Sequence, residues 1–515
     1  MADATALYMP GPRHQDSGAL KSGVELKAPV PIILLALCMA AAARSQPADE
    51  AGPLELSDCR IRADEGYPGI AARCGTLMRP LNPADPDSEL IALRVALVPA
   101  LSLEPETDPL VAIAGGPGQG SIEFYAAYAQ AFEKVRRKRD ILLLDQRGTG
   151  QSATMDCEIS DELIEGQFSI EQTIEETRSC LAALPHDPRY FTTSVAVQDL
   201  EALRVALDIP QLNLYGVSYG TRVVQHFLRR YPAATRTVVL DGVVPPEIAL
   251  GPVIAIEAQR ALDAIFERCV EDAACNQRFP DIRSEFASLR QALSARPASL
   301  DLPNPLTGRM QQATFGAGEL AGAIRMLSYH PNTVALIPLL VHEAANGNLA
   351  PLAAQFLMIA ESMSDALSLG MHNAVVCTED VPYIDEDAIS RDALEQTYIG
   401  PLQTDALQAI CSIWPRGIID DDFKTALVSD KPALLLSGEA DPITPPRYAD
   451  ALAATLGNVK HLTGVRQGHG QIMRGCMPDI VARFVDNASI NGLDDDCYAR
   501  VFAMPFFLDF SGPSP

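Results

Sequence analysis

A serine hydroxyl becomes a useful nucleophile only when a base takes its proton and an acid orients that base. Three positions in this 515-residue sequence meet the need in chain order: Ser218 within Gly216-Val217-Ser218-Tyr219-Gly220, Asp441 in Gly438-Glu439-Ala440-Asp441-Pro442, and His469 between Gly468 and Gly470. The pentapeptide matches G-x-S-x-G, where small residues two before and two after the serine permit a turn tight enough to push its oxygen clear of the backbone. Asp441 sits in a loop stiffened by Pro442 and Pro445. Asp241, directly after an apolar run, and Glu439, beside the favoured aspartate, compete for the acid's role. Of the eight histidines, His461 falls in a strand-like run and His226 in a helix-like one, where packing explains them as well as chemistry does. His469 alone occupies a glycine-flanked loop after the acid.

A tetrahedral intermediate also requires N–H donors aimed at its oxyanion. Tyr219, the residue after the serine, supplies one, and Gly116 in the loop Ala114-Gly115-Gly116-Pro117-Gly118-Gln119-Gly120 is the expected second, with a neighbouring glycine as fallback. That loop, with the run ILLLD ending at Asp145, imitates a dinucleotide-binding unit. However, Ser121 stands where the third glycine belongs, Pro117 removes a donor, and no Gly-Lys pair follows. Metal ligation would want paired C-x-x-C spacing, which is missing. The chemistry needs no cofactor or metal.

These side chains need a scaffold that ends several strands at one edge. Leu110 to Ala114 and Ile141 to Asp145 read as buried parallel strands around the amphipathic run Ile122 to Arg137. Val195 to Leu207 and Tyr219 to Arg230 have helical spacing, with strands at Leu212 to Tyr215 and Thr237 to Leu240. From about Pro245 to Asp430 the pattern turns helical with few convincing strands, as in Val253 to Val270, Ile282 to Leu293 and Gly318 to Leu327. Alternation resumes with strand Ala433 to Ser437, helix Pro446 to Leu456, strand Val459 to Thr463 and helix Gln471 to Asn487. The expected fold is α/β: a mostly parallel central sheet flanked by helices, with an inserted, mainly helical cap. Its organisation is a leader over 1–45, a first core part over 46–244, the cap over 245–430, and a second core part over 431–515.

Composition fits an ordered chain, with 48% apolar and 21% charged residues. Forty basic against 66 acidic residues leave a formal charge of −26, which excludes a general binder of nucleic acid or anionic membrane. Ala28 to Ala43 is uncharged and apolar and follows Lys21 and Lys27, the grammar of an export signal cleaved near Ala43. It is short for a stable membrane span. Leu37 stands where a lipoprotein signal wants a small residue, against an anchor on Cys38. The expected location is periplasmic or extracellular. Export leaves ten of 11 cysteines, and an even count suggests disulfides. The simplest pairing joins neighbours: Cys59 with Cys74, Cys157 with Cys180, Cys269 with Cys275, Cys377 with Cys411, and Cys476 with Cys497. Buried free thiols are the alternative.

Together, AGGPG at 114–118, DQRGTGQS at 145–152, GVSYG around Ser218, GEADPITP ending at Pro445 and GHG around His469 resemble the α/β-hydrolases of the proline iminopeptidase and tripeptidyl-aminopeptidase-like group. The resemblance spans most of the mature chain, although Ala114 stands where members typically carry histidine. It implies a secreted or periplasmic serine exopeptidase that removes one or a few residues from peptide N-termini beneath a helical cap. An aminopeptidase must hold an α-ammonium, which directs attention to Glu379 and Asp380 in VVCTEDVP. The alternatives are a carboxylesterase acting on small acyl esters with the same triad, and a catalytically silent binding protein of the same fold. The expected partner is a peptide or small acyl substrate. The sequence leaves oligomeric state open.

Overall fold

The computed structural model of the chain describes residues 54–63, 68–157, 169–305, 307–385 and 389–513. The export-signal reading over 28–43 lies outside them.

Eleven strands matter for the site's placement: β1 (Ser57–Ile61), β2 (Ile70–Pro80), β3 (Leu90–Val98), β4 (Leu110–Ile113), β5 (Ile141–Leu144), β6 (Leu212–Val217), β7 (Thr235–Asp241), β8 (Ala298–Pro303), β9 (Met310–Phe315), β10 (Ala433–Gly438) and β11 (Val459–Gly464). Nine form one sheet in the order β1-β2-β3-β5-β4-β6-β7-β10-β11. From β5 to β11 neighbours run parallel, whereas β1 to β3 are antiparallel to one another and β3 to β5. All four residues of β4 and of β5 are buried. That is the pattern of parallel strands covered on both faces.

Helices Ser121–Arg136 and Met477–Asn487 cover one face, where Phe124, Phe132, Ile480 and Phe484 join the core. Helices Thr193–Ala206, Tyr219–Arg230 and Pro446–Ala453 belong to the other, through Val197, Leu200, Val223, Phe227, Ala449 and Leu452. The order of elements therefore makes an α/β hydrolase fold. The six strands read from sequence match β4, β5, β6, β7, β10 and β11 to within two residues. Strands β1 to β3 were not foreseen. In β2 and β3 buried and exposed residues interleave, so they lack the unbroken apolar runs that marked the parallel strands.

Between β7 and β10 the chain is mainly helical, from Pro252–Glu271 to Leu402–Ile413, and packs around its own core of residues such as Leu262, Phe266, Phe286, Ile324 and Leu340. One correction applies: this stretch also contains the antiparallel hairpin β8–β9. A second concerns the helix expected from Gln471, which starts only at Met477 with Pro478 in its first turn. Residues 471 and 472 instead turn their amides onto Asp241. All five neighbouring cysteine pairs are at bonding distance, with Cα–Cα separations of 4.9–6.3 Å. The free-thiol alternative is thereby excluded.

Candidate active site

The turn between β6 and the helix Tyr219–Arg230 consists of Ser218 alone, held at φ 55°, ψ −124°. This backbone state is costly for a residue with a side chain, and such strain persists only where its surroundings impose it. The surroundings are tight. A Cβ added to Gly216 would lie 2.3 Å from the Gly220 carbonyl oxygen, and one added to Gly220 would lie 2.5 Å from that of Ala114. Only glycine at both positions lets strand and helix meet so closely. The Ser218 N–H donates to the Asp241 carbonyl at 2.8 Å, fixing the turn to the end of β7.

Asp441 and His469 come together at the ends of β10 and β11, with Asp441 Oδ2 2.7 Å from His469 Nδ1. The remaining demands of the buried carboxylate are met locally. Its Oδ1 accepts from the Ile443 and Thr444 amides, each at 2.8 Å, and its Oδ2 accepts from the Thr444 hydroxyl at 2.7 Å. Burial alone would raise the Asp441 pKa, but the charge and hydrogen bond of His469, with those amides, bring it below its ordinary value. Burial likewise opposes a charged imidazole, yet Asp441 outweighs it, so the His469 pKa is raised. The pair's bond orients His469 and leaves Nε2 as its other ring nitrogen. His469 Cε1 lies only 2.9 Å from where a Cβ of Gly242 would stand. Gly242 directly follows Asp241, the residue that anchors Ser218, so serine and imidazole flank the end of the same strand.

The two rival acids have other work. Asp241 accepts from the Tyr215 hydroxyl and the Gln471 and Ile472 amides, bracing the chain just after His469. Glu439 accepts from the Arg466 amide at 2.8 Å. The rival histidines are also placed. His226 pairs with Asp420 at 2.7 Å. His461 stands between Asp450 at 2.9 Å and the Ser437 hydroxyl at 3.0 Å, a second serine–histidine–aspartate chain. Ser437 is wholly buried in β10, so this chain has no access to substrate.

The glycine loop borders the serine: a Cβ on Gly115 would lie 3.1 Å from Ser218 Cβ. Among the described residues, neither the Gly116 nor the Tyr219 N–H donates to a backbone carbonyl. The helical insertion overlies this loop through Ser368 N–H to Gly118 O at 3.0 Å and His372 Nδ1 to Pro117 O at 3.2 Å.

Glu379 and Asp380 differ from their sequence assignment. Both are buried and engaged within the protein. Asp380 forms a two-pronged pair with Arg222, 3.0 Å on each prong, and accepts the Leu250 amide. Glu379 accepts the Thr193 amide at 2.8 Å and hydroxyl at 3.0 Å. Burial pushes its carboxyl up to about 7 despite nearby Arg222. Neither acid stands open to receive an ammonium group.

Three residues that sequence reasoning passed over complete the site. Thr444, besides holding Asp441, lies 3.1 Å from His469 Nδ1. Its place three residues after an aspartate is a turn signal that points to such a bond. Tyr329, in the insertion, accepts the His469 N–H on its carbonyl at 2.7 Å and sets its ring edge-on to the imidazole at 5.1 Å. Arg260 donates to the Asp441 carbonyl at 2.8 Å. Nothing in the local sequence marks either of the last two.

Residues 108–474 match the family model described as the alpha/beta hydrolase fold, and the chain belongs to that family. Among its relatives is the serine protease Hip1 of Mycobacterium tuberculosis, 24% identical over 473 residues that cover 84% of this chain and 88% of the relative. The tripeptidyl aminopeptidase of Streptomyces lividans is 26% identical over 210 residues, 38% of each chain. Among solved structures, the proline iminopeptidase of Mycobacterium smegmatis aligns with 13% identity and a TM-score of 0.37, covering 80% of this chain and 98% of that one.

Proposed function

We propose that the protein is an exported serine peptidase that removes short pieces from peptide N-termini. Ser218 attacks the scissile carbonyl while His469 takes its proton, and the Gly116 and Tyr219 amides receive the oxyanion. The leaving amine departs with that proton, and water, deprotonated by the same base, releases the acyl group from Ser218. Asp441 keeps the imidazole oriented throughout. The observation that carries the reading is the 2.7 Å Asp441–His469 bond at the sheet edge where the strained Ser218 also sits.

The peptide bond as target, and the N-terminus as the end attacked, draw support from relatives named serine protease, tripeptidyl aminopeptidase and proline iminopeptidase. Five cysteine pairs support an oxidising compartment. With Glu379 and Asp380 engaged elsewhere, the need for a free N-terminus is open to a direct test. Di- and tripeptide amides with free or acetylated N-termini, and matched esters, are assayed with the wild type, Ser218→Ala and Ser437→Ala. Turnover of free-amine peptides that vanishes in Ser218→Ala and survives in Ser437→Ala is the expected result. Equal cleavage of acetylated peptides overturns the aminopeptidase assignment, and turnover of esters alone overturns peptidase action.

A further inference from the structure

A loop built on glycines does not fix its own shape. Gly116 and Gly118 both sit at positive φ, 108° and 112°, and among the described residues the hydrogen bonds of 115–119 all run to the insertion. The Gly118 carbonyl accepts the Ser368 N–H, Gln119 pairs with Leu367 as a single antiparallel bridge, and the Pro117 carbonyl lies 3.2 Å from His372 Nδ1. A carbonyl only accepts, so Nδ1 carries the hydrogen of that bond. The bond falls one residue beyond Gly116, which is exposed.

His372 stands in the first turn of the helix Leu369–Glu379. The far end of that helix is tied to the element that carries the second amide. Asp380, its C-terminal cap, pairs with Arg222 in the first turn of the helix Tyr219–Arg230. Glu379 accepts from the Thr193 hydroxyl at 3.0 Å, and that hydroxyl lies 2.7 Å from the Tyr219 hydroxyl. At about 1.5 Å per residue the helix is a rod of roughly 16 Å. One end grips the glycine loop and the other grips the helix that begins at Tyr219. Two donors serve an oxyanion fully only when their separation is set before the charge forms.

We infer that the helix Leu369–Glu379 is a strut that sets the separation of the Gly116 and Tyr219 amides, with His372 as the positioning residue at its loop end. The strut rests on the proposed hydrolase reading and gives the insertion a share in stabilising the transition state.

The test uses the full protein, a peptide amide substrate and a peptidyl trifluoromethyl ketone. The Ser218 oxygen adds to the ketone carbon, the Ser218 proton passes to His469, and the ketone oxygen becomes an oxyanion. The kcat, the KM and the inhibition constant of the ketone are measured in the wild type, His372→Leu, His372→Asn and Thr193→Val. A misplaced donor weakens only states that carry the oxyanion, so kcat and ketone affinity should fall together while KM changes little. We expect losses of roughly 10- to 100-fold in His372→Leu, less than deletion of a donor outright. Asparagine brings an amide N–H close to the place of Nδ1, so His372→Asn should recover most of the loss. Thr193→Val removes one bond at the other end and should show the same pattern at roughly threefold. It also carries the test if His372→Leu does not fold. An unchanged kcat in His372→Leu and Thr193→Val, a loss confined to KM, or a fall in kcat without a matching fall in ketone affinity overturns the strut. Failure of asparagine to recover activity removes His372 from the role. A folded wild type that the ketone does not inhibit sinks the hydrolase reading as well, whereas an inhibited wild type with indifferent variants sinks the strut alone.

Discussion

His469 can act as a base only while neutral, yet its contact with Asp441 favours the charged form. Burial resists that charge and the carboxylate overcomes it, so the pKa lies above the ordinary 6.5. The sign for catalysis follows. As pH falls through this raised value the base is lost, so kcat/KM should climb with pH to a plateau, and the midpoint of the climb should lie above 6.5. Replacing Asp441 with asparagine should move the midpoint down and cut kcat by about 10³- to 10⁴-fold, because the imidazole loses the partner that sets its tautomer. A pH–rate profile of both proteins checks this; an unmoved midpoint would detach Asp441 from the base. That Ser218, Asp441 and His469 would lie at one sheet edge was legible because nucleophilic chemistry restricts residue type and each occupies a loop after a strand. Thr444 was half-legible, through its turn. The occupation of Glu379 and Asp380 was not, because Arg222 and Thr193 reach them across long stretches of sequence, as with the 158-residue separation between Arg222 and Asp380.

The helix Pro252–Glu271 does more than fill the insertion's own core. Its Arg260 reaches from the insertion to the acid loop, donating to the Asp441 carbonyl at 2.8 Å and the Glu439 carbonyl at 3.3 Å. Glu257, one turn earlier, holds the Arg260 Nε at 2.9 Å and the Arg447 Nη1 of helix Pro446–Ala453 at 2.7 Å. Two elements from different parts of the chain thus clamp the loop that carries the acid. Arg260→Ala should slacken that loop while leaving substrate contacts alone. We expect kcat to fall by roughly 3- to 10-fold, with KM changed less and the far-UV spectrum preserved, a loss on the scale of one ordinary net hydrogen bond. An effect confined to KM would assign Arg260 to substrate binding instead. At this scale the parallel strands could be read because burial on both faces makes them unbroken apolar runs. Strands β1 to β3 and the hairpin β8–β9 each leave a face wet, so their apolar content is diluted and only the pairing partner gives them away.

Across the whole molecule, a buried group of charges joins the helix that follows Ser218 to the insertion. Arg222 pairs with Asp380, Glu379 lies 3.9 Å from Arg222, and the Lys424 Nζ donates to the carbonyls of Ile248 and Glu379. Burial dominates here. It lifts Glu379 from 4.5 to about 7 and lowers Lys424 from 10.5 to about 8, so both can change protonation near neutrality. The folded chain holds the Glu379 proton more tightly than the unfolded chain does. The resulting stabilisation is complete below the unfolded value near 4.5 and is lost as pH rises through about 7. Lys424 acts in a separate window: its cost to the fold is present below about 8 and is relieved toward 10.5. Glutamine at position 379 keeps an acceptor oxygen for Thr193 and removes the titration. The difference in unfolding free energy between wild type and Glu379→Gln should therefore shift against the wild type between pH 4.5 and 7, by up to about 3 kcal/mol. Denaturant midpoints of the two proteins across that range measure it, and titrating groups not coupled to Glu379 cancel in the difference. Parallel curves would mean that Glu379 is solvated in the native state. The helix that follows Ser218 and the insertion would then not be joined through a dry charge cluster.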